Sequence, residues 1–135
     1  MGLFISERIR LREFGKEIQA AAKEALIDGA RVSLADLIAA KGLPKGTRLL
    51  KAYATTSHGP RRIIYLLLVA EGDLFVLLYR DKKDKVGANM SPKNKDFNEV
   101  LAKHLDLLRE DIAADRIEEI VPAKKPAGDP ARPED

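Results

Sequence analysis

The spacing of hydrophobic residues changes along the chain, and the change separates predicted helices from predicted strands. A short apolar segment at residues 3–5 allows a first strand, and Ser6 after it has the side chain of a helix N-cap. Apolar residues then recur at helical spacing as far as Gly29, which suits a C-terminal stop. They are Leu11, Phe14, Ile18, Ala21, Ala22 and Ala25. A second helix is predicted at residues 33–42, "SLADLIAAKG", where Ser33 and Asp36 have the spacing of a capping box.

The central part of the chain has the pattern of β-strands. Residues 47–56, "TRLLKAYATT", predict a strand, and residues 61–69 and 74–79 are two nearly continuous apolar runs. The tight turn Glu71-Gly72-Asp73 joins these two runs, so we expect them to be antiparallel neighbours. Their apolar character on both faces is typical of central strands.

The C-terminal part predicts one more helix and a tail. Ser91-Pro92 is a strong helix start, with Ser at the N-cap and Pro at the first helical position. The helix either continues through Ile117 and Ile120 or breaks near Ala113. Its apolar stripe consists of Phe97, Val100, Leu101, His104, Leu105 and Leu108. Residues 122–135 are rich in Pro and charge, which predicts disorder.

These elements predict an α+β fold, with two N-terminal helices packed on a small antiparallel sheet of three to four strands and a C-terminal helix after it. We expect a single domain at residues 1–121. The longest apolar run, residues 63–70, is too short for a membrane span, and no leader pattern is visible, so a cytoplasmic protein is expected. With no cysteine and two isolated histidines, we expect no metal site and no cofactor.

Charge is concentrated in the middle of the chain. Residues 44–95 hold eleven Lys and Arg against four Asp and Glu, a net charge of +7, although the whole chain carries only +3. Such a segment favours a polyanion partner such as nucleic acid. The alternative is a solvated surface without a specific partner.

The predicted meander brings separate basic residues together. Because the second strand runs opposite to its neighbours, its start lies beside the ends of the other two strands. Arg62, Arg80 and Lys82, with Lys51 a little further in, should therefore converge at one end of the sheet. A phosphate backbone is the natural counterion for such a cluster. Further candidate phosphate contacts are Arg48, Arg61, Lys83 and Lys85, although the two loop lysines also suit a solubilising role.

Few other residues suggest chemistry. His58 lies in a predicted turn, where it is either solvated or auxiliary to a site, and His104 lies on an apolar stripe, which favours packing. Tyr53 and Tyr79 lie near strand ends and could stack on a base. No acidic cluster is expected near the basic end, which argues against a two-metal nuclease.

Several short segments resemble the RelE/ParE superfamily of bacterial toxins, and most closely its RelE and HigB branch. They are "RLLKAY", "RRIIYLLL", "EGD", "LFVLLY", "RDKKDK" and "MSPKNKDFNEVL", within residues 45–108. The resemblance implies a RelE-like fold and a ribosome-dependent mRNA endoribonuclease that a cognate antitoxin protein holds inactive. In such enzymes the ribose 2′-hydroxyl attacks the adjacent phosphate. The resemblance implies Lys51 as general base, Arg62 as phosphate clamp and Lys82 as the charge-stabilising residue.

The sequence departs from this family at one point. The family often has a tyrosine or histidine near the position of Asn89 or Met90, and this chain has neither. Either another residue, such as Tyr79 or His58, takes that role, or cleavage is weak. Two alternatives therefore stay open: a ParE-like inhibitor of DNA gyrase, and a binding module for RNA or protein without catalysis.

Overall fold

The computed structural model describes residues 2–32, 35–36, 43–81, 83–87, 90 and 93–122. In this part of the chain, six strands and three helices are formed. The strands are β1 (Leu3–Ser6), β2 (Ala35–Asp36), β3 (Thr47–Thr56), β4 (Gly59–Leu68), β5 (Asp73–Asp81) and β6 (Ile117–Glu119). The helices are α1 (Glu7–Glu13), α2 (Ala20–Val32) and α3 (Lys95–Ala113). The fold is therefore α+β, as the sequence predicts.

All six strands belong to one sheet, in the order β2-β3-β4-β5-β1-β6. The predicted meander is confirmed, because β3, β4 and β5 are antiparallel neighbours. The expectation of an antiparallel sheet of three to four strands is wrong in two respects. β1 lies parallel to β5, which makes the sheet mixed, and the short strands β2 and β6 extend its two edges. Strands of two or three residues carry too little periodicity to be recognised in a sequence.

The N-terminal helical segment is divided in two. Ser6 is the N-cap of α1, as predicted, and its side chain accepts a hydrogen bond from the Ile9 amide at 3.2 Å. The expected single helix then ends early, because Gly15 adopts a φ of +83°. α2 also continues past Gly29 to Val32, so the predicted stop at Gly29 is wrong.

Gly29 serves close packing instead of helix termination. A Cβ atom at this position would lie 2.8 Å from the Tyr65 hydroxyl and 3.1 Å from Ile63 Cδ1. The Tyr65 hydroxyl also donates a hydrogen bond to the Leu26 carbonyl at 2.6 Å. The absent side chain thus lets α2 approach the sheet closely enough for this bond to form.

The predicted second helix is wrong where the structure describes it. Ala35 and Asp36 pair with Lys51 and Leu50 as strand β2, which satisfies backbone groups on the open side of β3. This tertiary pairing outweighs the local helical preference of the segment. The rest of that prediction, residues 33–34 and 37–42, lies outside the described residues.

The C-terminal helix breaks at Ala113, which confirms one of the two expected alternatives. Its N-cap is Asn94, whose side chain accepts a hydrogen bond from the Asp96 amide at 3.0 Å, while Ser91-Pro92 lies outside the described residues. After the helix, Asp115 has a φ of +58°, and the chain returns as β6 along β1. Of the predicted tail, residues 122–135, only Pro122 is among the described residues.

The core lies between the sheet and the helices. α2 contacts β3 and β4, whereas α3 contacts α1, β1 and β5. Among the largest fully buried side chains are Tyr65, Phe97, Ile5, Ile9, Leu26, Ile63, Ile64, Leu77 and Leu78. None of the helices in the described ranges is long and apolar enough to cross a membrane.

Candidate functional site

Lys51, Tyr53 and Arg62 share one face of the sheet. Tyr53 on β3 lies directly opposite Arg62 on β4, and Lys51 lies two residues away from Tyr53 along the same strand. Because side chains two residues apart point to the same face, the register brings all three together. We call these three residues the Tyr53 cluster.

The geometry of the Tyr53 cluster combines two cations with one accessible ring. Lys51 Nζ lies 5.6 Å from the centroid of the Tyr53 ring, and Arg62 Cζ lies 5.9 Å from it. Both distances fall within the range of cation–π contacts, each worth about 0.5–1 kcal/mol at exposed sites. Tyr53 is nevertheless 52% exposed, whereas Lys51 and Arg62 are partly buried. The cluster therefore presents a ring and two positive charges to solvent.

Arg62 is anchored from the segment that follows β5. Its NH1 group donates a hydrogen bond to the Gly87 carbonyl at 2.8 Å. The segment at residues 83–87 therefore returns to β4 and holds the guanidinium of Arg62. Such a bond across 25 residues limits the positions that the Arg62 side chain can take.

Arg80 lies opposite Arg62 on β5, so the predicted convergence of Lys51, Arg62 and Arg80 is confirmed. The side chain of Arg80, however, is committed to acidic partners. Its Nε and NH2 groups donate to the two carboxylate oxygens of Glu13 at 2.9 and 2.7 Å. Its NH1 group donates to Asp84 Oδ1 at 3.0 Å. Two acidic residues thus lie at the basic end of the sheet, contrary to expectation.

Glu13 is a buried carboxylate at the C-terminus of α1. Its side chain has no exposed surface, and it also accepts a hydrogen bond from the Tyr79 amide at 2.9 Å. Burial alone would raise the pKa of Glu13, but hydrogen bonds from Arg80 and the Tyr79 amide, together with the neighbouring His104, outweigh burial, and the pKa is lowered. Glu13 is therefore ionised at neutral pH.

His104 is a buried histidine beside Glu13, which confirms the packing role expected for it. Its Nε2 atom lies 3.5 Å from Glu13 Oε2, and its Nδ1 atom lies 2.8 Å from the Val100 carbonyl. The side chain is 3% exposed. His104 thus links α3 to the end of α1.

Asp84 organises the segment after β5. Its Oδ1 atom accepts hydrogen bonds from the amides of Val86 and Gly87 at 2.8 and 3.1 Å. Burial would raise the pKa of Asp84, but these two amides and Arg80 lower it. The carboxylate is therefore ionised at neutral pH and bonded to three donors.

Arg61 and Arg48 lie on the other face of the sheet. The Cζ atom of Arg61 lies 6.0 Å from the centroid of the Tyr79 ring, and its NH1 group donates to the Pro60 carbonyl. Arg48 pairs with Leu67, towards the opposite end of β3. The register separates both residues from the Tyr53 cluster, although the sequence made them candidates for phosphate binding.

The remaining candidates lie around the site. Lys83 and Lys85 are exposed, and Lys82 lies outside the described residues. His58 is exposed in the turn between β3 and β4, where its amide donates to Thr56 Oγ1 at 3.1 Å. The ring of Tyr79 packs against Phe14, with 5.0 Å between centroids, and burial raises the pKa of its hydroxyl.

Glu13 is the residue that sequence reasoning missed. It follows the buried Ile9 by four residues and so lies on the apolar face of α1, where a carboxylate indicates a buried partner. Within the described residues, no group of three or more His, Cys, Asp or Glu side chains is placed to hold a metal ion.

Comparisons of the chain with protein-family models, curated proteins and solved structures found no significant match.

Proposed function

We propose that the protein is a toxin of the RelE/ParE type and a ribosome-dependent mRNA endoribonuclease, with an antitoxin protein as its partner. The supporting observation is the Tyr53 cluster, which joins two cations and an exposed aromatic ring on one sheet face. Single-stranded RNA offers the matching groups, because its phosphates bind cations and its bases stack on aromatic rings. The net charge of +7 in residues 44–95 adds a general attraction for the RNA backbone.

The proposed reaction needs two groups at the reacting phosphate. The Lys51 amine takes the proton from the ribose 2′-hydroxyl, whose oxygen then attacks the adjacent phosphorus and expels the 5′-oxygen of the next nucleotide. Arg62 stabilises the negative charge that grows on the phosphate oxygens. A guanidinium has five N–H donors, so its bond to Gly87 is compatible with a second bond to a phosphate.

Tyr53 supplies the stacking group in this proposal. It is the more exposed of the two candidates, since Tyr79 is packed against Phe14 and lies on the face that carries Arg61. Stacking of a base on Tyr53 would place the following phosphate near Lys51 and Arg62. Lys82, which the family resemblance implies as the charge-stabilising residue, lies outside the described residues and keeps that role as a prediction.

The proposal is tested by inducing the wild type, Lys51→Ala and Arg62→Ala in bacteria. Growth is followed, and cleavage of a translated reporter mRNA is mapped by primer extension. Lys103→Ala and Arg12→Ala are matched controls, because both residues are exposed and lie on helices away from the Tyr53 cluster. We expect growth arrest with cuts inside translated codons for the wild type and both controls, and strongly reduced cleavage for the two site variants.

Other outcomes would contradict the proposal in distinct ways. Growth arrest with intact mRNA would point to another target, such as DNA gyrase for a ParE-like inhibitor. Absence of both arrest and cleavage, with soluble folded protein, would leave a binding module. Cleavage that is equal in the wild type and the site variants would remove the Tyr53 cluster from the mechanism.

A further inference from the structure

A series of hydrogen bonds connects Glu13 to Arg62, and its first step joins Glu13 to the side chain of Arg80. Both carboxylate oxygens of Glu13 accept from it at 2.9 and 2.7 Å, and the Glu13 side chain is completely buried. A two-point contact between a planar guanidinium and a carboxylate sets orientation as well as distance. Arg80 therefore has one well-defined position, which is dictated by α1.

The second link joins Arg80 to the segment after β5. Asp84 Oδ1 accepts from Arg80 NH1 at 3.0 Å and also from the amides of Val86 and Gly87. Gly87 is pressed against β5, since a Cβ atom there would lie 2.0 Å from the Asp81 carbonyl and 2.8 Å from Arg80 Cβ. Position 87 thus requires glycine, and Asp84 determines where its peptide group lies.

The last link reaches the Tyr53 cluster. The Gly87 carbonyl accepts the hydrogen bond from Arg62 NH1 at 2.8 Å, and Arg62 Cζ lies 5.9 Å from the Tyr53 ring centroid. Direct contacts therefore run from Glu13 through Arg80, Asp84 and Gly87 to Arg62. No step in this series exceeds 3.1 Å between donor and acceptor.

The charges along the series disfavour RNA binding at Arg80. Glu13 and Asp84 both have lowered pKa values, so two negative charges surround the single positive charge of Arg80. An RNA phosphate at Arg80 would meet these carboxylates, which accept hydrogen bonds from all three nitrogens of its guanidinium. The repulsion between two arginines directly opposite each other is also neutralised.

We propose that Glu13, Arg80 and Asp84 are positioning residues that hold Arg62 in place through the Gly87 carbonyl, and that Arg80 does not contact RNA. The consequence for cleavage rests on the proposed function, but the positioning of Arg62 does not. The two statements can therefore be tested separately on the same set of variants.

The positioning is measured by NMR, from the 15N relaxation of the Arg62 Nε–H group. The variants are Asp84→Ala and Asp84→Asn, and Asp73→Ala is the matched control. Asp73 also accepts a backbone hydrogen bond, from the Gly2 amide at 2.8 Å, but it lies at the other end of β5. We expect a rigid Arg62 group in the wild type and in Asp73→Ala, and a mobile one in Asp84→Ala. An Arg62 group that stays equally rigid in folded Asp84→Ala would overturn the proposal.

The consequence for activity is measured with a double-mutant cycle of Asp84→Ala and Arg62→Ala in the mRNA cleavage assay. Misplacing a catalytic group by about 1 Å can cost about 10²-fold in rate, and we expect a loss of that order in kcat for Asp84→Ala alone. In the Arg62→Ala background the same change should cost less than about twofold, because its target is already absent. If the kcat loss of the double variant equalled the product of the two single losses, the proposal would be contradicted.

These measurements separate the two hypotheses. A wild type that leaves mRNA intact while Arg62 loses its rigidity in Asp84→Ala would retain the positioning series and refute the nuclease. If the wild type cleaves mRNA and the kcat losses of Asp84→Ala and Arg62→Ala multiply, the nuclease would be retained and the positioning series refuted. Thermal unfolding of Asp84→Ala and Asp84→Asn verifies that the compared proteins are folded, and Asp84→Asn preserves the side-chain shape if the alanine variant unfolds.

Discussion

Arg62 and Arg80 lie directly opposite each other on β4 and β5, yet their guanidinium groups have different partners. Arg62 donates to the Gly87 carbonyl in the segment after β5, whereas Arg80 donates to the buried carboxylate of Glu13. From the sequence alone, the two residues are equivalent members of the basic cluster at one end of the sheet. Their surroundings divide them: Glu13 and Asp84 neutralise the charge of Arg80 inside the fold, whereas Arg62 lies beside the exposed ring of Tyr53.

This division explains why a buried carboxylate is stable so close to a basic surface. Glu13 has no exposed side-chain surface, but it accepts three hydrogen bonds from Arg80 and the Tyr79 amide. A buried charge is tolerated only when it is paired and hydrogen-bonded in this way. The negative charge of Glu13 thereby reduces the electrostatic repulsion among the cations at this end of the sheet.

The first prediction concerns the stability that this ion pair contributes. Glu13→Gln should lower the free energy of unfolding by about 3 kcal/mol at neutral pH, because it removes the fully buried one of the two ionised partners of Arg80. Urea denaturation measures the loss. Glu110→Gln is the matched control, since Glu110 pairs with Arg8 at the surface with 62% exposure and should contribute far less than the buried Glu13.

The stability that Glu13 contributes should also depend on pH. The pKa of Glu13 in the folded state is lowered from its ordinary value of 4.5, so its contribution to stability is complete above that pH. It is lost as the pH falls through the lower folded-state pKa. The difference in unfolding free energy between the wild type and Glu13→Gln should therefore shrink progressively below about pH 4.5. A difference that stays constant down to about pH 3 would contradict this assignment.

The second prediction concerns the close approach of α2 to the sheet. Gly29→Ala should destabilise the protein by about 1–2 kcal/mol, because overpacking against Tyr65 and Ile63 outweighs the gain in helix propensity. In a Tyr65→Phe background the nearest clashing atom, the hydroxyl at 2.8 Å, is absent. The cost of Gly29→Ala should then be smaller, which a double-mutant cycle of urea denaturation curves measures. Equal costs in both backgrounds would place the clash elsewhere.

The sequence predicted the features that depend on local periodicity. The alternation within residues 47–56 and the tight turn at Gly72 were enough to predict the meander and the convergence of Lys51, Arg62 and Arg80. The Ser6 cap was predicted for the same reason, since capping involves neighbours in sequence. These predictions needed no knowledge of distant contacts.

The features that escaped prediction all depend on contacts between distant parts of the chain. Glu13 and Arg80 are 67 residues apart, and no pattern in the sequence pairs them. β6 forms because residues after Ala113 meet β1, and β2 forms because Ala35 meets Lys51. A helical pattern also cannot show that Gly29 is a packing contact and not a stop.

The third prediction uses two adjacent arginines on opposite faces of β4. If the Tyr53 cluster is the site of cleavage, Arg62→Ala should reduce mRNA cleavage by about 10²-fold or more, as expected for loss of a group that stabilises transition-state charge. Arg61→Ala removes the same charge one residue away, beside Tyr79, and should reduce cleavage far less. Both variants are compared by primer extension at matched protein levels. Similar losses would indicate a general effect of charge instead of a defined site.

The last prediction tests the aromatic ring of the Tyr53 cluster. Tyr53→Phe retains the ring and should bind single-stranded RNA nearly as well as the wild type, because stacking does not need the hydroxyl. Tyr53→Ala removes the ring and should lose about 1–3 kcal/mol of binding free energy, the usual worth of one stacked base. Fluorescence anisotropy with a short labelled RNA measures both variants in an Arg62→Ala background, which limits cleavage during the titration. Since Tyr53 is 52% exposed, its removal should leave the thermal unfolding temperature nearly unchanged. A loss of binding in Tyr53→Phe as large as in Tyr53→Ala would show that the hydroxyl, and not the ring, makes the contact.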